Sequence, residues 1–190
     1  LSRVHLLIVR DGSDVLAALE VMDNLQQDIP LAGVLRSGVF GERFTADELV
    51  DVRCVEREVP FHQALHIRAE RGDALATRLR LTLATIARYR DDARRRPLTE
   101  VLSRLYDEQA YLAYASGLPN GPQRRANLLK LHELARRFGA FRRQGLHRFL
   151  RFIRSLEDEE QELAVAPSLG ESDDVVRIMS IHQAKGLEFP

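Results

Sequence analysis

The chain has 190 residues, of which 45% are hydrophobic and 29% charged, and its basic and acidic residues balance to a formal net charge of zero. This length suits one domain, or one domain and part of another, and it is sufficient to bury a substantial core. Zero net charge excludes a polycation that would bind nucleic acid by charge alone. No stretch approaches the roughly 20 apolar residues of a membrane span, so we expect no membrane partner.

Two features of the composition bear on function. Lys130 and Lys185 are the only lysines; arginine suits phosphate recognition, although codon bias gives the same composition. The single cysteine, Cys54, excludes an internal disulfide and a cysteine-based zinc site, and it fits a cytoplasmic protein. We expect Cys54 to be packed or inert within a helix over residues 47–58.

Apolar residues recur at helical spacing through most of the chain, with few turn signals between the segments. Ser13 is a predicted N-cap, Pro30 is predicted to open a short helix, and Thr45 and Glu48 form a predicted capping box. The predicted helices cover residues 14–23, 30–37, 47–58, 61–71, 73–95, 99–114 and 123–138, with a last helix starting at Leu146. The fold class is therefore mostly α, with seven or eight helices and a few short strands at the two ends.

The end of the chain has the pattern of a binding site. Residues 175–181 alternate as a strand does, and a polar turn with His182, Lys185, Gly186 and Glu188 follows. These side chains provide no nucleophile with its base, and one histidine cannot hold zinc, so we predict neither a catalytic residue nor a metal site. A charged, hydroxylated ligand is the expected partner, and the alternative is a packed histidine beside a surface Lys–Glu pair.

Residues 178–189 resemble motif V of superfamily 1 DNA helicases of the UvrD/PcrA/Rep type, whose pattern is hydrophobic-Met-Thr/Ser-x-His-x-x-Lys-Gly-Leu-Glu-Phe. Three other segments, 23–37, 117–128 and 145–153, resemble the AddA-type subunit of bacterial ATP-dependent helicase-nucleases. Leu25 departs from that pattern, where the family usually has proline. The resemblance implies that Ser180, His182 and Lys185 contact single-stranded DNA. It also implies that Gly186 and Glu188 form the nucleotide side of the turn, with the Glu188 carboxylate reaching the ATP sugar.

A second candidate for DNA contact is the Gly-Val-Phe-Gly turn at residues 38–41, between two predicted helices. Gly38 and Gly41 would present backbone amides to a DNA phosphate, and Arg36 and Arg43 flank them. UvrD-like helicases often have a related hairpin in their 2B domain. The alternative is a simple turn between two packed helices.

The resemblance also implies a domain organisation. Residues 1–12 would end a preceding RecA-like domain, 13–166 would form a helical 2B-like domain, 167–174 a linker, and 175–190 the motif V strand and turn. The chain has no initiator methionine and stops inside a motif, so we expect a piece of a longer protein. It also lacks the phosphate loop of ATPases, so we expect the isolated piece to be inactive.

The parent implied by the resemblance is one subunit of an ATP-dependent 3'-to-5' DNA helicase/nuclease with a role in double-strand break repair and recombination. It would use ATP and Mg²⁺, act on single-stranded and duplex DNA, and pair with an AddB-type second subunit in the cytoplasm. The alternative is a non-catalytic helical module that regulates the motor by contacting duplex DNA or a partner subunit.

Overall fold

The computed structural model describes residues 13–140 and 145–165, and all regular secondary structure in these two ranges is α-helical. The predicted mostly α fold is confirmed; the strands predicted at the two ends lie outside the described residues. Nine helices occur in the described ranges, one or two more than predicted. They are α1 (Ser13–Asp23), α2 (Asp28–Ser37), α3 (Ala46–Cys54), α4 (Phe61–Ala69), α5 (Ala74–Arg95), α6 (Leu98–Glu108), α7 (Tyr111–Ser116), α8 (Gly121–Ala140) and α9 (Leu146–Val165).

Helix α1 lies at the centre of the packing. Its buried side chains, which form a wide apolar face, are Val15, Leu16, Ala18, Leu19, Val21 and Met22. It packs against α2, α5 and α9, and these contacts bury its wide apolar face in the core. Because α9 follows α1 by more than 120 residues, this contact joins the two ends of the described chain.

Helices α6, α7 and α8 pack on one another and extend the same core. The Tyr106 hydroxyl donates a hydrogen bond to the Leu128 carbonyl (3.1 Å), and both residues are buried. The α8 residue Phe138 meets Phe149 edge-on at 5.4 Å between ring centroids and stacks on Phe152 at 5.2 Å. These aromatic contacts fix the start of α9 against the end of α8.

Helix α3 confirms one prediction and corrects another. The capping box is present, because the Thr45 hydroxyl accepts from the Glu48 amide and the Glu48 carboxylate accepts from the Thr45 amide. The helix, however, ends at Cys54 and not at residue 58. The Arg53 guanidinium donates to the carbonyls of residues 56, 57 and 59, which holds this segment as a turn. Cys54 is exposed, so of the two predicted alternatives, packed or inert, the first was wrong.

The predicted helix over 99–114 is two helices. Ala110 between them has a φ of 47°, in the left-handed region, and Tyr111 begins α7. Ser13 is the first residue of α1, and α2 begins at Asp28, two residues before the predicted Pro30. Helix α8 passes through Gly139 and ends at Ala140.

Candidate nucleic-acid interface

The predicted site residues divide into two groups. Those of the C-terminal turn, namely Ser180, His182, Lys185, Gly186 and Glu188, lie outside the described residues. Arg36, Gly38, Gly41 and Arg43 lie in the connection between α2 and α3, which we call the 36–43 hairpin.

Two glycines in the left-handed region define the hairpin. Gly38 ends α2 with a φ of 76°, and Gly41 has a φ of 92°. The Gly41 amide donates to the Gly38 carbonyl (2.9 Å), and the Phe44 amide donates to the Leu35 carbonyl (2.9 Å). L-residues other than glycine adopt this backbone region at a cost, which accounts for the two glycines at this spacing.

The apolar tip of the hairpin is part of the core. Val39 and Phe40 are buried, and the Phe40 ring lies 5.6 Å from the Tyr89 ring of α5. A Cβ at Gly41 would lie 2.8 Å from Oε1 of Gln109, whose amide group donates to the Tyr89 hydroxyl (3.4 Å). The hairpin is therefore packed between α5 and the end of α6, as the simple-turn alternative requires, and only its flanks face outward.

Arg78 of α5 braces those flanks. Its guanidinium donates to the Glu42 carboxylate (2.9 Å), the Arg43 carbonyl (2.7 Å) and the Glu48 carboxylate, and it lies 4.7 Å from the Phe44 ring centroid. The hydrogen bond to Glu42, followed by that to Glu48, raises the pKa of Arg78. The Thr45 amide, assisted by Arg78, lowers the pKa of Glu48. These contacts fix the backbone that carries Arg43.

The outer surface of the hairpin remains available to a ligand. Arg36, Gly41 and Arg43 are exposed, and Nε of Arg43 donates to the Arg36 carbonyl (3.0 Å). Among the described residues, the backbone amides of Glu42 and Arg43 have no hydrogen-bond acceptor. Two guanidinium groups beside backbone N–H donors are suited to bind a phosphate group.

Asp28 positions the helix that leads into the hairpin, a role that periodicity alone did not reveal. Its carboxylate accepts from the amides of Phe61 (2.8 Å) and His62 (3.1 Å), and Nδ1 of His62 lies 2.9 Å from it. Burial raises the pKa of Asp28, but the hydrogen bonds from His62 and Phe61 outweigh it and hold the pKa below its ordinary value. Asp28 thus caps α4 from the start of α2. The sequence gives one indication of this role, because Asp28 lies in the segment before the hairpin that resembles the AddA-type subunit.

Other site types are not found in this part of the molecule. In residues 13–140 and 145–165, no group of three or more His, Cys, Asp or Glu side chains could hold a metal ion. None of the helices described is both long and apolar enough to cross a bilayer.

The described residues form a helical module with a braced, glycine-flanked turn whose outer groups are suited to bind phosphate. No family model matches the chain. Among curated proteins it is 47% identical over 176 residues to the ATP-dependent helicase/nuclease A subunit of Desulforudis audaxviator, covering 93% of this chain and 14% of that protein. The protein of the same name from Heliobacterium modesticaldum is 44% identical over 189 residues, covering 94% of this chain and 13% of that protein.

A third protein of that name, from Anoxybacillus flavithermus, is 39% identical over 180 residues, covering 94% of this chain and 15% of its own length. Over more than nine tenths of its length, the chain is therefore homologous to one segment of the ATP-dependent helicase/nuclease A subunit. This confirms the resemblance inferred from the sequence. The chain spans about one seventh of the length of these relatives.

Proposed function

We propose that the chain is a segment of an ATP-dependent 3'-to-5' DNA helicase/nuclease subunit that acts in double-strand break repair and recombination. The names of the relatives, at 39–47% identity, support the helicase/nuclease activity of the whole protein. That protein would use ATP and Mg²⁺ and would work with an AddB-type subunit in the cytoplasm.

Within this proposal the C-terminal turn contacts two ligands, DNA and the nucleotide. Ser180, His182 and Lys185 contact single-stranded DNA, and Gly186 and Glu188 contribute to the nucleotide site. One strand and turn touching both ligands would let the nucleotide state change the affinity for DNA, since coupling requires a shared element with two arrangements. The motif match in the sequence supports this part.

The helical body would contact duplex DNA through the 36–43 hairpin. The observation that carries this part is the combination of exposed Arg36 and Arg43 with backbone amides that have no acceptor among the described residues. Phosphate contacts of this kind fix a protein on the duplex without reading its sequence. The Arg78 brace supports the same role, because a fixed backbone loses less entropy when it binds.

A mobility-shift titration of the purified chain with duplex DNA over a series of salt concentrations tests DNA contact. We expect the logarithm of the binding constant to fall steeply and linearly with the logarithm of salt, by about 0.9 for each phosphate contact. A flat dependence would instead indicate protein–protein docking.

Steady-state ATP hydrolysis with single-stranded DNA tests the proposal that the chain is not catalytic alone. We expect no turnover above background, because the sequence has no phosphate loop. Turnover that persists after repeated purification would contradict this.

A second candidate function is a regulatory module that docks on a partner subunit. The observation in its favour is the exposure of three apolar side chains, Ile29 (88%), Leu81 (61%) and Val50 (59%). Single exposed apolar residues are common on protein surfaces, so this observation carries less weight than the hairpin.

A further inference from the structure

A cleft of about 600 Å³ opens where four helices end or begin, and none of its sides includes the 36–43 hairpin. The end of α5, the start of α6, the end of α8 and the start of α9 line it. Its size lies within the range of roughly 300–1,000 Å³ that ligand sites occupy. The lining residues are Ala93, Arg94, Arg95, Arg96, Pro97, Leu98, Thr99, Ala135, Arg136, Phe138, Gly139, Gly145 and Leu146.

The charge of this lining has one sign. Arg94, Arg95, Arg96 and Arg136 contribute to it, and none of the described lining residues is acidic. Carboxylates just outside the cleft pair with three of them: Asp91 with Arg95 (3.0 Å), the largely buried Asp92 and the exposed Glu100 with Arg96, and Glu133 with Arg136 (2.7 Å). Arg94 makes no ion pair with any described residue. The Arg95–Asp91 and Arg136–Glu133 pairs are exposed, and exposed ion pairs contribute little to stability, so Arg95 and Arg136 can turn to an anion at small cost.

Two helix N-termini add to the positive potential of the cleft. Helix α6 begins after Pro97 and has no side-chain cap, and α9 begins after Gly145, which has no side chain to cap it. The first amides of each helix therefore have no side-chain acceptor of that kind, and a helix N-terminus favours an anion. Neither terminus would define a site alone, but here both lie at a cleft that is also lined by four arginine residues.

Apart from Thr99, the remaining lining is apolar. Leu98, Phe138 and Leu146 line the cleft beside the arginines, and Phe138 is fixed by its ring contacts with α9. A site that binds only inorganic phosphate does not require an apolar surface. Proteins that bind single-stranded nucleic acid combine basic groups for the backbone with apolar and aromatic groups for the bases.

We propose that this cleft binds the phosphate backbone of a single-stranded nucleic acid, with Arg94 and Arg136 as its main contacts. The anion preference follows from the cleft itself, whereas the choice of a nucleic-acid strand rests on the proposed function. The site is made of elements other than the hairpin and the C-terminal turn, so it adds a contact for a strand that leaves the duplex.

The test is a fluorescence anisotropy titration of the 190-residue chain with a labelled oligothymidylate at several salt concentrations. The variant is Arg94→Gln/Arg136→Gln, which removes one arginine from α5 and one from α8. The control is Arg71→Gln/Arg125→Gln, which removes the same charge from positions before α5 and near the start of α8. Circular dichroism checks that all three proteins keep their helix content.

We expect the cleft variant to bind the oligonucleotide at least about ten-fold more weakly than the control, since hydrogen bonds to charged groups have this magnitude. Its salt dependence should fall by about 0.7 for each lost phosphate contact. Equal weakening in variant and control would overturn the proposal, because it would indicate diffuse attraction. Inorganic phosphate is added as a competitor in the same titration. If the cleft variant loses this competition but binds the oligonucleotide as tightly as the control, the cleft binds phosphate and not a nucleic-acid strand.

The same titration with duplex DNA separates this inference from the proposed function. A chain that binds duplex through Arg36 and Arg43, but whose cleft variant binds the oligonucleotide as the control does, would overturn the cleft and leave the hairpin proposal intact. Weakening of oligonucleotide binding by the cleft variant alone, with no duplex binding, would support the cleft and overturn the role of the hairpin.

Discussion

Nδ1 of His62 lies 2.9 Å from the Asp28 carboxylate, which also accepts from the Phe61 and His62 amides and so joins the starts of two helices 33 residues apart. The contact fixes α2 against α4, and α2 leads directly into the 36–43 hairpin. The charge of one side chain therefore bears on the position of the candidate DNA-contacting turn.

We predict that Asp28→Ala lowers the free energy of unfolding by about 1 kcal/mol, the usual cost of losing a capping side chain. Asp28→Asn should cost less, since the amide oxygen still accepts one of the hydrogen bonds. Urea unfolding at neutral pH measures both. Asp28→Ala with the stability of the parent chain would show that the contact contributes nothing.

The same contact predicts a pH dependence with a definite sign. The pKa of Asp28 is lower in the folded state than its ordinary value of 3.8. The stability that the ionised carboxylate adds to the fold is therefore fully present above pH 3.8. It is lost as the pH falls through the lower folded-state value. The stability difference between the parent chain and Asp28→Ala should therefore shrink in acid, and a difference that grew there would contradict the assignment.

Two glycine-to-alanine substitutions should have opposite effects. A Cβ at Gly121 would lie 1.9 Å from the Ser116 carbonyl oxygen, which is backbone and cannot move aside, so Gly121→Ala should destabilise by about 1–3 kcal/mol. Gly33 lies within α2 with no atom near its Cβ position, so Gly33→Ala should stabilise by about 0.5–1 kcal/mol. Thermal unfolding of the two variants checks the pair, and destabilisation by both would contradict the local geometry.

The Arg78 brace should not survive replacement by lysine. A lysine cannot reach Glu42, Glu48 and the Arg43 carbonyl together while stacking on Phe44. We expect Arg78→Lys to cost about 1 kcal/mol, in line with other partly exposed ion-pair contacts. Hydrogen exchange of the Phe44 amide, which bonds to the Leu35 carbonyl, should accelerate in this variant and not in the Arg71→Lys control.

Sequence patterns predicted the helical class, most helix positions and the Thr45–Glu48 capping box, because apolar spacing and caps are local signals. The ends of α3 and α6 were not predicted. The first depends on how the Arg53 side chain folds back, and the second on Ala110 entering the left-handed region without a glycine or proline to mark it. Both are decided by packing, which periodicity does not report.

The candidate site was predicted only in part. The glycines and flanking arginines of the hairpin could be identified from their spacing. The inward Val39 and Phe40, the Arg78 brace and the Asp28 cap could not, because each joins residues that are distant in the chain. The arginine cleft likewise depends on α5 and α8 ending at the same place.

DNA contact by the 36–43 hairpin is measured most directly by an anisotropy titration of duplex DNA with the chain and with Arg36→Gln/Arg43→Gln, over several salt concentrations. We expect the variant to bind about ten-fold more weakly and its salt dependence to fall by about 0.9 for each lost phosphate contact. The control Arg71→Gln/Arg125→Gln should bind as the parent does. Equal duplex affinity and salt dependence in the hairpin variant and the parent chain would contradict the claim that this hairpin contacts DNA.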